Sequence, residues 1–222
     1  MKKQLKNGFT LAEILVVVLI FSFLMSGLFA VLLTGQRSWH VSDVSIELQQ
    51  DLRSSLMRIT RELHQSGFKC NDPPACTNTT IQVTIAPNPD VINTDILRFK
   101  LPVDYNRDGY IKNNNGIVEL WGANLTWGCS DFGCQKPKSP ESQNNNYQIE
   151  YLLDVNKQLI RRVLNTSSTT IQSDIYATNL IDFQASINGN IVTIQLTAEK
   201  KPAVGDNITS NLSVQILLRN RG

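Results

Sequence analysis

Histidine is nearly absent from this 222-residue chain: it holds two, His40 and His64, 24 residues apart and on no shared helical turn. No Ser/His/Asp set, glycine-rich phosphate loop or nucleophile elbow accompanies them, so the chain reads as non-enzymatic and needs no cofactor. An excess of either charge is also missing. Lys+Arg number 21 against Asp+Glu 19, a balance that gives no basic surface for nucleic acid. Proline does not occur before Pro73, and no charged side chain lies between Glu13 and Arg37. Three lysines, Lys2, Lys3 and Lys6, crowd the first six positions instead. At 41% hydrophobic the chain is too apolar to be disordered and long enough for one or two domains. Its apolar residues are concentrated at one end, which points to a membrane.

Residues 9–33 form a run of 25 that, as a helix, crosses a hydrocarbon layer of about 30 Å with some tilt. A secretory signal peptide is disfavoured, because its apolar core is about 7–15 residues and a small-residue cleavage site should close it. A plain anchor, with the lysines held in the cytoplasm, must still account for Glu13. A carboxylate four residues into an apolar helix needs a partner.

The run Gly8-Phe9-Thr10-Leu11-Ala12-Glu13 behind a short basic leader resembles the class III signal of type IV pilins and of the pseudopilins of type II secretion. The resemblance implies that a prepilin peptidase cuts between Gly8 and Phe9, removes the leader 1–8, and methylates the new amine of Phe9. Loss of the leader takes away its three lysines and leaves 18 basic against 19 acidic side chains. It further implies that Glu13 is the assembly contact, neutralised by the terminal amine of Phe9 on a neighbouring subunit. In a low dielectric that Coulomb attraction would select the axial register of the bundled helices.

Beyond the membrane half 9–33, the pattern continues as an amphipathic half 34–66. Val41, Val44, Leu48, Leu52, Leu56, Ile59 and Leu63 trace one stripe, with Asp43, Glu47, Asp51, Arg53, Arg58, Arg61 and Glu62 around it. Gly67 after Ser66 is a candidate left-handed stop. A single helix over 9–66 would be about 87 Å long and needs a head to cover the stripe. Ser22, Ser26 and Ala30 repeat at four-residue spacing, which permits close helix approach in lipid. The absence of proline departs from the pattern of many filament-forming major pilins.

Residues 67–222 read as a β-rich head, giving an α+β fold. Strands are expected at 80–85, 95–101, 116–121, 148–153, 158–164, 181–187, 191–197 and 212–218, in an antiparallel sheet over the outer helix. Asn188-Gly189-Asn190 and Asp154-Val155-Asn156-Lys157 are hairpin turns, and 134–146 is an exposed loop. Four cysteines form two close pairs, Cys70/Cys76 and Cys129/Cys134, which favour disulfides over a four-thiolate zinc site because their gaps are wider than those of zinc knuckles. Asp104, Asn106, Asp108 and Tyr110 fit the start of a calcium loop, with Glu119 as a late ligand. The twelfth position is Asn115, where an EF-hand has glutamate, and an ordinary Asp/Asn/Gly turn is the alternative.

The head size, the run 51–68 and the ending 214–221 resemble PilW-type minor pilins, and the J-type minor pseudopilin is similar in plan. The resemblance implies a subunit that initiates or caps a pilus, first spanning the bacterial inner membrane with its head in the periplasm. Its implied partners are major and minor pilins or pseudopilins, prepilin peptidase, the inner-membrane assembly platform and membrane lipid. A membrane-tethered adhesin is the competing class, since Trp121 and Trp127 flank a cysteine loop.

Overall fold

The computed structural model describes residues 10–70, 79–103, 112, 114, 118, 120–123, 147–203, 205–218 and 220–221. One helix, α1 (Leu11–Leu63), runs 53 residues, about 80 Å. It starts where Thr10 leaves the extended region and closes a capping box with Glu13, so local chemistry sets its beginning. Its end differs from the expected left-handed stop. His64 keeps right-handed helical dihedrals, and Gln65 and Ser66 donate to the carbonyls of Glu62 and Leu63, tightening the last turn. Gly67 is already the first residue of a strand, and its carbonyl accepts from the Gln82 N–H, so sheet pairing takes the place of a glycine cap.

The strands, in chain order, begin with β1 (Gly67–Cys70), β2 (Thr79–Ile81), β3 (Val83–Pro87), β4 (Asp95–Phe99) and β5 (Leu101–Val103). They continue with β6 (Leu120–Gly122), β7 (Gln148–Leu153), β8 (Leu159–Leu164) and β9 (Thr170–Ala177). The last are β10 (Leu180–Asn188), β11 (Ile191–Lys200), β12 (Ile208–Leu217) and β13 (Asn220–Arg221). An antiparallel five-stranded sheet has the order β3-β4-β7-β8-β9, and a second antiparallel sheet the order β10-β11-β12. β5 and β6 pair as a ribbon. The small sheet β13-β1-β2 contains a parallel pairing, Gly67 with Asn220 and Phe68 with Arg221, because the chain end returns alongside the strand that leaves the helix.

Two expected strands are each broken once, and the breaks meet. Gln82 separates β2 from β3 and Lys100 separates β4 from β5, with the Lys100 N–H donating to the Gln82 carbonyl. β9 was not anticipated: its inward positions are the polar Gln172, Asp174 and Tyr176, while Ile171 and Ile175 face out, inverting the usual alternation.

The stripe on α1 is buried at Leu48, Leu52, Leu56, Ile59 and Leu63 and packs in one core with Leu180, Phe183, Val192, Ile194, Leu196 and Ile216 of the β10-β11-β12 sheet. Hairpin chemistry holds those strands in register. Gly189 has φ +59 at the first central position of the two-residue β10–β11 turn, as a type II′ turn requires. The turns β7–β8 and β8–β9 are one design used twice. Asp154 accepts from the N–H groups of Asn156 and Gln158 with Lys157 at φ +61, and Asn165 accepts from Ser167 and Thr169 with Ser168 at φ +59.

Candidate functional site

At the start of α1 the backbone N–H and hydroxyl of Thr10 both donate to Glu13 Oε2, at 2.9 and 3.0 Å, and the Glu13 N–H donates back to Thr10 Oγ1 at 3.3 Å. Within the chain the Glu13 carboxylate is therefore hydrogen-bonded by a neutral neighbour, which leaves its charge uncompensated by Thr10. The carboxylate satisfies one of the orphan donors of the first turn, where the helix dipole favours negative charge. Past this cap the helix is apolar on every side, and from Leu11 to Leu33 its large side chains are all exposed. With a mean hydropathy of 2.8 it is long and apolar enough to cross a membrane. Ser22 and, just beyond this half, Thr34 return their hydroxyls to the carbonyls of Val18 and Ala30 within the helix.

At its other end α1 carries a group whose environment sequence periodicity did not reveal. Glu62 belongs to the charges expected around the stripe, yet it is 1% exposed and points into the head. Arg161, in the middle of β8 and 0% exposed, meets it: Nη2 lies 3.1 Å from Oε1 and Nε donates to both oxygens at 3.1 Å. The hydroxyl of Tyr151 on β7 donates to Glu62 Oε2 at 2.7 Å. Asp174 of β9 stands 3.8 Å from Arg161 Nη1 at the rim. Tyr151 stacks on Phe99 and takes Tyr176 edge-on, and Arg58 of α1 lies 5.3 Å over the Tyr176 ring. Ser55 of α1 donates to the Tyr176 carbonyl, which a ladder irregularity between Leu159 and Ile160 leaves available.

Electrostatics follow from burial. Desolvation pushes the Glu62 carboxyl up, and the Arg161 guanidinium and Tyr151 hydroxyl offset part of that rise. For Arg161 burial works downward, but Glu62 more than reverses it, so the guanidinium stays charged. Burial, with Glu62 beside it, pushes the Tyr151 phenol well up, and Tyr176 rises for the same reasons. With Glu62, Arg161 and the Tyr151 hydroxyl turned onto one another, the arrangement clamps the helix to the sheet. The signal for it was faint: one acid beside Leu63 and two arginines inside an apolar strand.

Of the residues singled out from the sequence, Thr10 and Glu13 lie among those described, as does the backbone of Cys70 in β1. Gly8 and Phe9 at the cleavage junction lie outside the described residues. So do Cys76, Cys129 and Cys134 and the calcium candidates Asp104, Asn106, Asp108, Tyr110 and Glu119. Trp121, a candidate adhesive surface residue, is buried, and Trp127 lies outside the described residues. Among the described residues no cluster of three or more His, Cys, Asp or Glu is placed to hold a metal ion.

Set against known families, residues 3–29 match the prokaryotic N-terminal methylation motif. No curated protein and no solved structure matches the chain.

Proposed function

We propose that this chain, which carries the type IV prepilin-like signal at residues 3–29, is a minor pilin: a non-enzymatic subunit that initiates or caps a pilus. The observation that carries the reading is the division of α1. Its first half is apolar all round and exposed along its length, while its second half is built into the head by a continuous core and a buried ion pair. A helix made that way needs an apolar environment from outside, first lipid and then the helices of other subunits.

The motif supports one order of events. The leader holds the short end in the cytoplasm, prepilin peptidase cuts at Gly8–Phe9, and the assembly platform of the inner membrane lifts the subunit into a filament. The head stays on the periplasmic side and then at the filament tip. Glu13 pairs with the Phe9 amine of a neighbour in that bundle.

Affinity capture of the full chain from membranes, with mass spectrometry of its amino terminus and of its partners, tests the proposal. A methylated Phe9 terminus and pilus subunits as partners support it. Subunits of a type II secretion machine would make the chain a minor pseudopilin, and an uncut Met1 terminus without pilin partners would reject both.

A further inference from the structure

Trp39 is 77% exposed, on the face of α1 turned away from the head: Leu48, nine residues on, faces the sheet half a turn round. Its height along the helix is informative. From Ile14 to Leu33 the helix measures about 30 Å, the thickness of a hydrocarbon core, so Glu13 and Thr34 fall at the two boundaries. Trp39 then lies about 7.5 Å beyond the boundary, and its side chain slopes back over the preceding turn into a headgroup layer about 5–7 Å deep. There the helix offers little bulk of its own. Gly35, Ser38 and Ser42 flank the indole and line one surface with it, which Asp43 and Ile46 continue toward the head.

The head reaches the same level on the opposite side. A Cβ placed on Gly205, in the loop between β11 and β12, would lie 4.0 Å from Val41 Cγ2, two residues above Trp39.

We propose that Trp39 is an interfacial anchor whose indole docks among the headgroups and glycerol carbonyls of the outer leaflet, fixing the depth of α1 and holding the β11–β12 loop close above the bilayer. The chemistry suits an indole, which has an apolar body to bury and a single N–H to donate to an ester carbonyl. This inference rests on the membrane-spanning reading of 9–33. Lipid is favoured over a second pilin helix because the position follows from the height of the apolar span.

The test uses the full chain reconstituted in phosphatidylethanolamine–phosphatidylglycerol vesicles, with or without bromine on the acyl chains close to the carbonyls. The Trp39 signal is the difference between the native protein and Trp39→Phe, which leaves Trp121 and Trp127 in place. A blue-shifted difference emission that bromolipid quenches and aqueous iodide does not is the expected result. A red-shifted signal quenched by iodide in protein that has inserted would overturn the inference while sparing the anchor. Shielding that arises only when partner pilins are added would overturn it too, assigning the face to a neighbouring helix. Failure to insert would remove the membrane reading itself.

Discussion

Glu62, one residue before the end of α1, and Arg161, in the middle of β8, face each other at 3.1 Å with both side chains out of water. The Tyr151 hydroxyl closes the same carboxylate from a third element. The helix and two paired strands, about a hundred residues later in sequence, are thereby held in one relative position. A subunit pulled along its helix needs such a joint, because force on α1 must reach the head without peeling the two apart.

Removing one partner should expose the cost of an uncompensated buried charge. Glu62→Ala is expected to destabilise the head by about 3–5 kcal/mol, whereas Glu62→Leu combined with Arg161→Met should recover most of that loss. Urea unfolding of the full chain in detergent measures both. A loss below about 1 kcal/mol for the single variant would show that the pair does not hold the joint.

Tyr151 and Tyr176 make the joint sensitive to alkali. Their phenols are raised in the folded state and ionise near pH 10 when unfolded, so the folded state binds their protons more tightly. That contribution is fully present below about pH 10 and is lost as pH rises above it. Phenolate absorbance from these two side chains should therefore appear together with unfolding. Tyr151→Phe should weaken the coupling and also cost about 1.5–3 kcal/mol at neutral pH, since the Glu62 carboxylate loses a donor.

At the other end of the helix, Glu13→Gln is the cleaner test of assembly. Glutamine at this position keeps a capping box with Thr10 and removes only the charge, whereas Glu13→Ala removes both. Both variants should insert in the membrane and be cut at Gly8–Phe9, yet neither should co-purify with partner pilins. If Glu13→Gln assembles as the native chain does while Glu13→Ala does not, the cap rather than the charge is what assembly uses.

The twice-used hairpin turn is open to a simple measurement. Asp154→Ala deletes two bonds to backbone N–H groups and should cost about 1–2 kcal/mol by thermal or urea unfolding, as should Asn165→Ala. An unchanged midpoint for both would mean that the flanking strands set these turns without them.

Calcium is expected at Asp104, Asn106 and Asp108, with Tyr110 and Glu119 completing the set. Millimolar calcium should then raise the melting temperature of the full chain in detergent by mass action, and Asp104→Asn with Asp108→Asn should abolish the rise. An unchanged melt would leave the segment an ordinary polar turn.

Local interactions made the first sixty residues legible without a fold. Thr10 and Glu13 cap a helix three residues apart, apolar side chains over 9–33 demand a nonaqueous surround, and the stripe expected from Val41 to Leu63 repeats at the helical period and is buried or half-buried from Val44 on, with Val41 left exposed. The same holds for β7, β8, β10 and β11, whose apolar residues and turns are read from neighbours in sequence. What lay beyond reach depended on distant partners. Gly67 became a strand residue because the chain end returned beside it, and β9 formed with polar residues inward because Arg161 and the edge of α1 were there to meet them. Glu62 has the same local pattern as the solvent-facing acids Glu47 and Asp51. Only the arrival of Arg161 and Tyr151 from a sheet about a hundred residues later decided that it be buried, since an isolated carboxylate there would have stayed in water.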